Sequence, residues 1–232
     1  SKVWQTGYAT RYFDCCKPAC AWLRNAPSPL SRVRVCDSSF HTTHPNVFAR
    51  SACSTHVEAN ASSPSALDGS GVAASRLAAG GYACADHSPW RDAQDPNLSY
   101  GFVATPAGGG SGVCGACFEF VFTGRAHDAA QDAGSARLAG KRMVVMASNV
   151  GVELAAGQFD LMVPGGGVGR FDACSARWQS RDDGDAVDLG SRFGGFLTRC
   201  RACPRPQSGR RCAMQPSNGH EAVRACVRGM CN

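Results

Sequence analysis

From residue 100 onward the chain alternates short apolar runs with polar breaks marked by Gly or Pro. "YGFVAT" (100–105), "CFEFVF" (117–122), "KRMVVMA" (141–147) and "FDLMVP" (159–164) are short and β-branched or aromatic, and they predict strands. Helical periods are scarce. "CKPACAWLRNA" (16–26) predicts one short helix with Pro18 in its first turn. "HEAVRACVRG" (220–229) fits a helix or a strand, and periodicity does not separate the two. Several short strands at irregular spacing, with few helical periods and no internal repeat, predict an all-β core closed as a barrel.

The run between Cys53 and Cys84 is rich in Ala, Ser and Gly and poor in large apolar residues. Cysteines bracket it, so residues 54–80 read as a surface insertion and not as a linker between domains. The 232 residues are therefore expected to form a single domain. Fourteen cysteines exceed what a reduced cytosolic chain of this length carries. Only "CGAC" (114–117) and "CRAC" (200–203) have the C-x-x-C form of a zinc ligand pair, with no His pair at finger-like spacing. A disulfide framework is the better reading, with no metal or other cofactor.

Two sequons, at Asn60 and Asn97, fit an exported protein, and no apolar run approaches the roughly 18 residues of a membrane span. The chain starts at Ser1 without a charged and apolar leader, so the expectation is a secreted, extracellular protein whose signal peptide has been removed. The net charge of +6 is concentrated in an Arg-rich run at 191–211. It reads as a solvated loop, so nucleic acid and membrane are not expected partners.

Two acids stand out. "TRYFDCCKPAC" (10–20) places Asp14 against Cys15 and Cys16, with Cys20 close behind. Adjacent cysteines seldom pair with each other, because the ring they close is far from preferred disulfide geometry. They therefore tie the segment to separate parts of the chain and hold Asp14 in place. Taken alone, Asp14 reads as a turn or capping residue in a disulfide knot. "GQFDLMVPGGGVGRFDAC" (157–174) changes that reading by placing Asp160 in an apolar strand, a setting that raises a carboxyl's pKa and suits a general acid. The glycines that follow, Gly165 and Gly166 among them, either let a bulky ligand approach the backbone or make a tight turn. Facing each other across a groove, Asp14 ionised and Asp160 neutral would form the pair that glycoside hydrolysis requires.

With "YACADHSPW" (82–90), "CGACFEFVF" (114–122) and "GKRMVVMASN" (140–149) between them, these two segments resemble glycoside hydrolase family 45, the small secreted endo-β-1,4-glucanases. The resemblance covers residues 10–178 apart from the insertion. It implies a six-stranded double-psi β-barrel with long stapled loops, a single catalytic domain over 1–232 and an open groove for a β-1,4-glucan chain. It further implies a monomer that hydrolyses internal bonds with inversion, Asp160 as general acid and Asp14 as general base. The family's third acid, on a loop seven residues before the catalytic acid, falls on Glu153. Gln158 stands where the family commonly has His; it can hydrogen-bond but cannot titrate. Thr10 and Arg11 match signature positions, and Tyr12 and Trp22 match aromatic positions along the groove. Phe13 stands where Trp is common, and Trp90 and Trp178 read equally as core.

By family position, the expected bridges are Cys15–Cys174, Cys16–Cys53, Cys20–Cys114, Cys36–Cys84, Cys117–Cys226 and Cys200–Cys212, leaving Cys203 to pair with Cys231. Residues 191–232 depart most from the family, being shorter and without its aromatic strand. The alternative reading is a non-hydrolytic carbohydrate-binding or wall-loosening protein like the expansins, which share the barrel but lack the base; a barwin-like protein is a third.

Overall fold

The computed structural model describes residues 4–21, 25, 33–36, 81–106, 111–128, 134–174, 189–196 and 198. Six strands lie among them: β1 (Tyr8–Tyr12), β2 (Trp90–Arg91), β3 (Leu98–Pro106), β4 (Cys117–Val121), β5 (Arg142–Gly151) and β6 (Gln158–Met162). They form one mixed sheet in the order β1-β6-β3-β5-β4, with β2 paired to β3. The β1–β6 and β3–β5 pairs are parallel, whereas β4–β5, β2–β3 and the short β3–β6 pair are antiparallel. This strand-rich mixed sheet is the expected all-β architecture.

Alternation along the strands separates two apolar layers. Val103, Met143 and Val145 are fully or nearly fully buried, and Phe118, Phe120, Phe159 and Leu161 pack against them. On the opposite side, Tyr12, Phe13, Cys15, Cys16, Tyr82, Ala104 and Met162 form a second cluster, with Phe102 and Leu154 against it. Phe159 and Leu161, which make "QFDLM" look apolar in sequence, therefore belong to the first layer. Gln158 and Asp160 belong to the other face.

Cys15–Cys174, Cys20–Cys114 and Cys36–Cys84 are formed as expected. Cys16 is also disulfide-bonded, and its expected partner Cys53 lies outside the described residues. Cys117 is free and exposed among the described residues, and its expected partner Cys226 lies outside them. The pleat of β4 turns Phe118 and Phe120 inward and leaves Cys117 exposed. Of the expected helix over 16–26, residues 16–21 and 25 are described, and they contain a 3-10 turn at Ala19–Ala21. Trp22, Trp178, the 54–80 insertion, Asn60, the 199–232 region and its bridges Cys200–Cys212 and Cys203–Cys231 lie outside the described residues. No helix among the described residues is long and apolar enough to cross a membrane.

Candidate active site

The parallel register of β1 and β6 sets Thr10 beside Asp160, and the antiparallel register of β3 and β6 sets Ala104 beside it on the other side. Cross-strand partners share a face, so Tyr12, Ala104 and Asp160 line one surface. Asn149 joins them through a bulge. The β3–β5 register runs Val103 to Ala147 and then Ala104 to Asn149, skipping Ser148. The extra residue turns Asn149 onto the face that Ser148 would otherwise occupy.

Asp14 reaches this surface from just beyond the end of β1. Its backbone carbonyl accepts the Ala173 N–H at 2.9 Å, and Oδ1 accepts the Cys16 N–H at 2.9 Å. Between them Cys15 adopts φ 63°, the one positive φ of a non-glycine residue among the described residues. Such a conformation costs on the order of 1–3 kcal/mol and persists where its surroundings enforce it. Here the Cys15–Cys174 bridge and the Ala83 N–H, which donates to the Cys15 carbonyl at 3.1 Å, supply that enforcement. The adjacent cysteines thus hold the carboxylate in a fixed, strained turn.

Asp14, Asp160 and Glu153 line one cleft with Tyr12, Ala104, Asn149, Leu154 and Phe171. Asp14 is buried, Asp160 half-buried and Glu153 exposed on the turn after β5. Burial pushes the Asp14 carboxyl up to about 8, and the charges of Glu153 and Asp160 push the same way, while the Cys16 N–H opposes them. Burial also raises Asp160, to about 6, with Glu153 adding to it and the Thr10 hydrogen bond and Arg11 charge opposing. The raised Asp160 accords with its setting. Asp14 is raised further because it is the more deeply buried of the two.

Tyr12 and Asn149 form the floor. The Ala19 N–H donates to Asn149 Oδ1 at 2.8 Å, which leaves Nδ2 to donate to the Tyr12 hydroxyl at 3.0 Å. The Tyr12 oxygen is therefore an acceptor in that bond, and its own proton is available to another acceptor. Burial and the nearby Asp14 hold the Tyr12 phenol well above its ordinary value. Asn149 is the residue sequence reasoning missed, since a bulge leaves no local signature in "MASNVG".

The other expected contacts are placed differently. Thr10 donates to Asp160 Oδ1 at 2.7 Å and Gln158 donates to Thr10 Oγ1 at 3.0 Å, so both support the acid from beside the cleft. Arg11 Nη2 donates to the Gly194 carbonyl at 3.3 Å. Gly165 and Gly166 are not among the cleft's lining residues. A Cβ on Gly166 would meet the Val163 carbonyl oxygen at 2.8 Å and the Tyr12 nitrogen at 3.2 Å. At Gly165, which has φ +79°, a Cβ would meet the Phe196 ring at 2.8 Å. These glycines let two loops pack, and Gly165 faces a separate apolar pocket with Phe13, Val168, Leu189 and Phe196. One acidic group with metal-like spacing occurs among the described residues, Cys84, Asp86 and His87, but Cys84 is in a disulfide and Asp86 pairs with Arg34.

Residues 6–222 match the family model described as Glycosyl hydrolase family 45. Over 195 residues, 84% of this chain, it is 43% identical to Endoglucanase B of Cellvibrio japonicus, of which that match covers 32%. It is 32% identical over 205 residues to an endoglucanase of Cryptopygus antarcticus, covering 88% of this chain and 72% of that one. The chain thus spans about a third of the bacterial relative's length and about three quarters of the springtail protein's. The crystal structure of the cellulase from the Antarctic springtail Cryptopygus antarcticus superposes with a TM-score of 0.56 at 27% identity, covering 97% of this chain and 83% of that one. That likeness and the mixed sheet accord with a double-psi barrel. On the family match over nearly its whole length, the chain belongs to glycosyl hydrolase family 45.

Proposed function

We propose that the cleft hydrolyses internal bonds of cellulose or a related β-1,4-glucan with inversion, as a secreted, monomeric endoglucanase. The single observation that carries this reading is that Asp14 and Asp160, remote in sequence, line one cleft. Asp160 protonates the glycosidic oxygen while Asp14 takes a proton from the water that attacks the anomeric carbon. That water needs the carboxyls about 6.5–9.5 Å apart. The exposed Glu153 adds negative charge that favours proton retention on both acids. Tyr12 supplies a ring in the cleft, and Trp22 is a proposed stacking partner for the sugar. Three formed disulfides fit an oxidising, extracellular setting.

The test is reducing-sugar release from carboxymethyl cellulose by wild type, Asp14→Asn and Asp160→Asn. Each variant is expected to lose roughly a hundredfold to ten-thousandfold in rate. Undiminished turnover in either one removes that residue from the mechanism, and binding to cellulose without turnover by the wild type favours the expansin-like alternative.

A further inference from the structure

We propose that Gln158 and Thr10 are positioning residues that place the proton of the Asp160 carboxyl on Oδ2, through a hydrogen-bond chain of one-way polarity that starts at the main chain of Ala155. This rests on the assignment of Asp160 as the acid. The chain begins with a group that can only donate. The Ala155 N–H lies 3.1 Å from one end of the Gln158 amide, so that end is the oxygen Oε1. The Tyr8 hydroxyl donates to the same oxygen at 3.2 Å. The other end is then Nε2, which has no lone pair to offer and donates to Thr10 Oγ1 at 3.0 Å. A hydroxyl owns a single proton. With its oxygen receiving from Gln158, Thr10 spends that proton on Asp160 Oδ1, 2.7 Å away.

Oδ1 is therefore an acceptor whether Asp160 is ionised or not, and the acid's own proton falls to Oδ2. In the reaction the Oδ2–H bond breaks as the proton passes to the glycosidic oxygen, and the bond from that oxygen to the anomeric carbon breaks with its electron pair leaving on the departing sugar. The water oxygen bonds to the anomeric carbon and its proton goes to Asp14, so one water is consumed and Asp160 remains as a carboxylate still held by Thr10. Gln158 cannot titrate, so the polarity of the chain is the same at every working pH. Ala155 belongs to the same turn region as Glu153, which ties the loop acid's segment to the orientation of Asp160. Neither Thr10 nor Gln158 is among the residues lining the cleft, which distinguishes positioning from substrate contact.

The test compares two substrates. An unactivated cello-oligosaccharide needs its leaving oxygen protonated, whereas a dinitrophenyl β-cello-oligosaccharide does not. Thr10→Val is expected to lower kcat on the first by about tenfold to a hundredfold with KM unchanged, and to leave the second nearly untouched. Carbon NMR of labelled aspartate is expected to show the Asp160 pKa raised in this variant, because the Thr10 hydrogen bond lowers it. Thr10→Ser restores both. Gln158→Met, which lets the Thr10 hydroxyl rotate, shows the same pattern more weakly and serves if Thr10→Val does not fold. A rise in KM at constant kcat, or equal losses on both substrates, overturns the positioning role. Asp160→Asn separates the two levels: full turnover of the unactivated substrate in that variant removes the acid assignment itself, whereas its inactivity beside an unaffected Thr10→Val removes only the present proposal.

Discussion

Asp14 is the residue at which stability and activity conflict. Burial raises both carboxyls, Asp14 to about 8 and Asp160 to about 6, and the two titrate as a coupled pair. The active population rises as pH increases through about 6 and falls as it passes about 8. A bell-shaped kcat/KM profile with those two limbs is the expected outcome, and the limbs belong to the pair. A flat profile across that interval would contradict it. The same burial bears on folding. The folded pKa of Asp14 lies above its ordinary value of 3.8, so the folded state holds this proton more tightly than the unfolded chain does. That stability is fully present below the ordinary value and is lost as pH rises through about 8. Asp14→Asn keeps an oxygen for the Cys16 N–H and has no charge to bury, so its melting temperature should exceed the wild type's, by more at about pH 9 than at about pH 4. Equal shifts at both pH values would refute the buried-charge account.

At the scale of elements, the site depends on features with different visibility. β3, β4, β5 and β6 were legible because each buries an apolar face and so writes alternation into the sequence. β1 was not, because "YATRY" carries polar residues on both faces: Thr10 donates to Asp160 and Arg11 donates to a loop carbonyl. Its parallel pairing with β6 was also hidden, since a parallel pair joins remote segments and no turn marks it. The bulge at Ser148 follows from packing between strands, which no local residue type announces. The Cys15–Cys174 staple belongs to this scale too. Removing it with Cys15→Ala and Cys174→Ala is expected to cost about 2–5 kcal/mol in denaturant titration. It should also lower kcat below that of a Cys36→Ala, Cys84→Ala control under conditions where both are folded, because only the first pair brackets the turn that presents Asp14. Equal kcat in the two would show that the turn at Cys15 holds without its bridge.

For the whole molecule, both acids could be read from sequence because their neighbours are unusual: stapled cysteines around Asp14, and apolar residues followed by glycines around Asp160. Their shared cleft could not be read, because it arises where β1, β3 and β6 meet. At Gly165 and Gly166 the sequence left ligand approach and a tight turn both open, and the local geometry is loop packing. The proposed mechanism requires a water molecule between the two carboxyls that line the cleft. Proton NMR of the first product formed from a cello-oligosaccharide, recorded before mutarotation, tests that most directly. The α-anomer appearing first is the predicted result; the β-anomer appearing first would mean retention and contradict the assignment of Asp14 as the base that activates water.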